Sequence, residues 1–121
     1  MSDLELLELA AKASGIEYDA EKSKPHPVHQ NLWGLWLIYH RETHQFDPRY
    51  WNPLREDGDA LRLAVKLRLQ ITPGTYVHHE TSVFRSGAAE THESTTMNYG
   101  IEEATRRAIV RAAAEIGKRD D

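Results

Sequence analysis

The sequence predicts an α+β domain, a layered α/β/α sandwich with three helices and a small, mainly antiparallel sheet. Three observations carry that prediction. Three segments place apolar residues at helical spacing, one apolar run has the length and composition of a strand, and two Thr-, Val- and aromatic-rich stretches flank a turn dipeptide. The order helix, strand, helix, hairpin, helix favours packed layers of separate helices and strands. At 121 residues the chain has the size of one domain, read as 1–121.

The opening helix runs from Ser2 to Gly15. Ser2 and Glu5 have capping-box spacing, Leu4, Leu7 and Ala11 share a face, and Gly15 supplies the stop. Leu6, Leu9, Ala10 and Ala13 widen the apolar face, so this helix is expected to be covered on more than one side. Asp19 to Asn31, with Pro25 and Pro27, reads as an exposed connection. Trp33 to Tyr39 is a near-continuous run of aromatic and branched residues, expected as a central strand buried on both faces.

A polar stretch from His40 to Tyr50 leads to Asp57-Gly58-Asp59. These acids suit the positive end of a helix carrying Ala60, Leu61, Leu63, Ala64, Val65 and Leu67, with Arg62 and Lys66 as its solvent-facing arc. Its end is expected near Gln70 to Gly74. Tyr76 to Arg85 and Ala89 to Asn98 read as a hairpin turning at Ser86-Gly87; the second strand is polar, so one side should be wet or form a sheet edge. The last helix spans about Ile101 to Ile116, with Ile101, Ala108, Ile109, Ala112 and Ile116 facing the core and Gly117 ending it.

Composition excludes several classes of function. The chain has no cysteine, which rules out disulfides, thiolate nucleophiles and cysteine-ligated metals. No apolar run is long enough for a membrane span and no export signal is visible, which predicts a cytoplasmic protein without a membrane partner. A net charge of −4 argues against nucleic acid as the partner.

The candidate chemistry is sparse. Glu56, Asp57 and Asp59 could surround a hard cation; against this, Trp51 and Leu54 anchoring a stiff loop and an aspartate capping the helix account for the same residues. Seven histidines invite a metal reading, with His79 and His92 as candidate ligands expected opposite or diagonal on the hairpin, yet no third ligand is apparent. Neither a metal nor another cofactor is therefore expected. Arg106, Arg107 and Arg111, with Arg62, Lys66 and Trp51, form the candidate ligand-binding set for an anion such as a phosphate-bearing nucleotide. The bland account is mutual neutralisation, because Glu102 and Arg106, Glu103 and Arg107, and Arg111 and Glu115 stand at i, i+4. No nucleophile elbow or oriented histidine is visible; Glu80 and Glu93 on the hairpin are the carboxylates an acid–base site would use.

Trp51 to Val65, Ala104 to Gly117 and the opening Leu-Leu-Glu-Leu-Ala-Ala-Lys-Ala helix resemble the bacteriophage ABA sandwich domain family. The resemblance implies a layered α/β/α fold and a phage or prophage origin, and it carries over no catalytic or ligand residue. The resulting expectation is a non-enzymatic accessory protein in the cytoplasm of a bacterial host, binding a host protein and countering a defence. The alternatives are a sponge for a nucleotide signal of that defence, or a small metal-dependent or acid–base enzyme using His79, His92 and Glu80. A homo-oligomer is also expected, with the last helix or the hairpin edge in the contact. Val110 and Ala114 fall opposite the predicted core face of that helix and a monomer would leave them wet, Leu69 lies outside the main face of the middle helix, and the polar hairpin presents an open edge.

Overall fold

A computed structural model describes residues 2–21, 23, 34–37, 50–73, 80–84, 91–94 and 100–119. These form three helices and two three-stranded antiparallel sheets: α1 (Asp3–Ser14), β1 (Tyr18–Asp19), β2 (Leu35–Leu37), β3 (Tyr50–Trp51), α2 (Asp57–Leu67), β4 (Gln70–Thr72), β5 (Glu80–Phe84), β6 (Thr91–Ser94) and α3 (Ile101–Arg119). The α+β class, the helices and the antiparallel pairing agree with the sequence prediction. The strands divide between two small sheets, ordered β1-β2-β3 and β4-β5-β6.

Ser2 caps α1 by accepting the Glu5 N–H at 3.2 Å, and Gly15 closes it with φ 73°, a left-handed conformation that costs a glycine little. Leu6, Leu7, Ala10 and Ala11 are buried. The partner of α1 is α3, which also packs on α2, β5 and β6. Asp3 meets Arg107 and Leu9 lies against Gly117, so α1 and α3 run in the same direction. Such close passage needs small residues, and α3 supplies Ala104, Ala108, Ala112, Ala113, Ala114 and Gly117, all buried.

This central position of α3 corrects three expectations. Val110 is fully buried and Ala114 is 2% exposed, because neighbouring elements cover the side expected to be wet. Ile101 is 42% exposed at the helix start, where little packs around it. Gly117 lies inside the helix, which continues to Arg119, and serves the approach to α1.

Leu35 in the middle of the first sheet is fully buried, but Trp36 is only half-buried, so β2 is covered on one face. Trp36 sits edge-on to Tyr50 of β3, ring centroids 5.2 Å apart. The connection after β1 is not wholly exposed: Ser23 is buried, donates to the Asp19 carbonyl at 2.5 Å and accepts the Trp36 N–H at 2.9 Å. In the second sheet Val83 and Thr81 are fully buried, and the Thr81 hydroxyl lies 3.4 Å from that of Thr105 on α3. The predicted turn at Ser86-Gly87 lies outside the described residues.

Candidate functional site

The loop from Asn52 to Glu56 is built around its own hydrogen bonds. The Asn52 side-chain oxygen accepts the Leu54 N–H at 3.1 Å, and the Asn52 carbonyl accepts from Arg55 and Glu56 at 3.0 and 2.9 Å. Trp51, Asn52, Pro53 and Leu54 are all buried. Glu56 occupies the N-cap of α2 without a side-chain cap bond. The fully buried carboxylate of Asp59 instead reaches back to accept the Asn52 N–H at 3.0 Å, and its other oxygen accepts from Arg62 at 2.9 Å. Asp57 accepts from Arg106 of α3 at 2.6 Å, and Arg106 also donates to the Leu54 carbonyl at 3.0 Å.

These contacts give the acids a structural use. Asp57 and Asp59 each hold an arginine, and among the described residues no group of three or more histidines, aspartates or glutamates could hold a metal ion. The anchored-loop account of Trp51 to Asp59 is the one the geometry matches, with Asp59 tying the helix back to the loop.

The candidate ligand-binding set does not converge on one point. Arg106 turns to α2, whereas Arg107 reaches Asp3 of α1 at 3.3 Å, so two successive arginines brace α3 against different elements. The expected i, i+4 partners Glu102 and Glu103 are replaced by Asp57 and Asp3, because those acids stand on elements packed against the helix. Arg62 is held by Asp59. Trp51 is 3% exposed, which closes its ring to a stacking ligand. Arg111 and Lys66 are exposed.

On the hairpin, the register places Ser82 across from His92. The other candidate ligand, His79, lies outside the described residues, as does His78. Glu93 faces Thr81 and Glu80 faces Ser94, so the two carboxylates are not register partners.

One feature of α2 escaped sequence reading. Leu61 is 62% exposed and Val65 is 67% exposed, one turn apart on the outer face. Ala60, Leu63, Ala64 and Leu67 already complete the buried stripe, which makes these two surplus to the core. That surplus was the available signal. Arg62, Lys66 and Arg68 surround the pair, all exposed, while Asp57 lies at the helix start with its charge met by Arg106. The outer face of α2 thus offers an aliphatic ridge with exposed acids, Glu56 and Asp57, at the helix start and exposed cations, Lys66 and Arg68, at its end. No helix among the described residues is long and apolar enough to cross a membrane. No protein-family model matches the chain, and neither does any curated protein or solved structure.

Proposed function

We propose that the chain is a non-enzymatic phage or prophage accessory protein that binds a protein of its bacterial host, in the host cytoplasm, to counter a defence. The contact surface in this reading is the outer face of α2. The observation that carries it is the exposed pair Leu61 and Val65, two aliphatic side chains that the core does not need. Covering what remains wet of each is worth roughly 1–2 kcal/mol. The exposed charges at the two ends of the ridge add selectivity for a surface of complementary pattern. The phage setting is supported by the resemblance of the Trp51 to Val65 and Ala104 to Gly117 stretches.

Sequestering a nucleotide is the weaker reading. Arg62, Arg106 and Arg107 are engaged by Asp59, Asp57 and Asp3, and Trp51 belongs to the core.

Affinity capture from a bacterial lysate, followed by mass spectrometry, tests the proposal. The wild-type chain should retain a stoichiometric bacterial protein, and Leu61→Glu with Val65→Glu should lose it while remaining folded. Recovery of none, or retention of the same protein by the double variant, overturns the reading.

A further inference from the structure

We infer that the outer face of α2 also takes a second copy of this chain, with the two α2 helices antiparallel across a twofold axis; the inference rests on reading that face as a contact surface. Leu61 and Val65 straddle the middle of the eleven-residue helix. A twofold axis between them sets Leu61 of one copy against Val65 of the other, and the reverse, so the ridge is its own complement.

The charges select the antiparallel arrangement. Glu56 and Asp57 are exposed at the start of α2, and Lys66 and Arg68 are exposed at its end. Antiparallel alignment brings Asp57 near the second copy's Arg68 at both ends of the contact, and it also opposes the two helix dipoles. Parallel alignment would set like charges together. Asp57 uses Oδ1 for Arg106, yet its side chain is 78% exposed and can face a second cation. On the other flank Arg62 falls near the axis, where its own Asp59, 2.9 Å away, offsets the like charge it meets. One pair of short helices buries less than the roughly 1,200 Å² of a standard interface, so the dimer is weak and a target protein can displace it.

Sedimentation equilibrium over a concentration series, on wild type and on Asp57→Lys and Arg68→Asp separately and mixed, tests the inference. Arg68 adopts φ 55°, a conformation aspartate tolerates. The wild-type mass should rise toward a dimer. Each charge variant alone should weaken association by about tenfold, since both end contacts become repulsive. Their equimolar mixture should restore it, because opposite charges then meet at both ends. This recovery uses the same two folded variants, so it separates loss of contact from loss of fold. Leu61→Glu with Val65→Glu should be monomeric. A wild type that stays monomeric, a dimer indifferent to the Leu61 and Val65 changes, or a mixture that fails to recover overturns the inference. If the wild type stays monomeric while host-protein capture still depends on Leu61 and Val65, only the self-contact falls. If capture ignores those residues, the reading of α2 as a contact surface falls as well.

Discussion

The guanidinium of Arg106 donates its Nε–H to the carbonyl oxygen of Leu54 at 3.0 Å, fastening the loop before α2 to the central helix. The same group reaches Asp57 at 2.6 Å, so one side chain fixes both the loop and the start of the helix that carries Leu61 and Val65.

Arg106→Ala should therefore lower stability by about 1.5–3 kcal/mol in urea unfolding. Most of that comes from the Leu54 carbonyl, since Leu54 is buried whereas the Asp57 side chain is 78% exposed and its ion pair is screened by water. Arg106→Lys keeps the charge but not the fork that serves two acceptors, and should recover only part of the loss. A neutral Arg106→Ala would show that the loop holds itself.

Gly117→Ala sets two effects against each other. In an exposed helix the change would stabilise by about 1 kcal/mol through helix propensity. Here the added Cβ would overlap the backbone carbonyl oxygen of Leu9, and α1 would have to move as a unit. Overpacking of that kind costs about 1–3 kcal/mol, so the net effect should be destabilising, read as a lower Tm. An unchanged or raised Tm would mean that α1 and α3 separate at little cost.

The Tyr18 hydroxyl donates to Glu8 at 3.0 Å, joining β1 to α1. Burial raises the phenol pKa above its ordinary 10.0, and both the hydrogen bond to Glu8 and its charge act in the same direction. The folded state thus holds this proton more tightly than the unfolded chain. The stability this contributes is complete below pH about 10 and is lost as pH rises through the higher folded value. Tyr18→Phe should flatten the alkaline fall in stability while costing about 0.5–1.5 kcal/mol at neutral pH for the lost hydrogen bond. Identical alkaline slopes for the two proteins would assign the fall to other groups.

The three helices were legible because each repeats its apolar period over several turns, and Ser2 and Gly15 mark the ends of α1 by their own chemistry. The strands β1, β3 and β4 were not, since two or three residues hold no period and only pairing defines them. Local spacing suggested partners for Arg106 and Arg107 one turn away, yet the observed partners are 49 and 104 residues distant, brought near only by packing. The same limit misplaced Val110: a helical wheel shows which residues share a face, and it cannot show that a helix has neighbours on more than one side. Leu61 and Val65 were absorbed into an apolar pattern that four other residues complete without them.

Val110→Glu and Val65→Glu discriminate between the two helices as sites of self-association. Val110 is fully buried in α3, so a glutamate there places a carboxylate in the core without a partner; the expected loss is about 3–5 kcal/mol, a large share of the stability of a domain this size. The variant should be largely unfolded or insoluble, and any loss of association would follow from that. Val65 is 67% exposed, so the same substitution should change stability by no more than about 0.5 kcal/mol while weakening self-association. Circular dichroism and thermal melts, measured beside sedimentation, separate the two effects. A folded, monomeric Val110→Glu beside an associating Val65→Glu would return the contact to α3 and contradict the enclosed position of that helix.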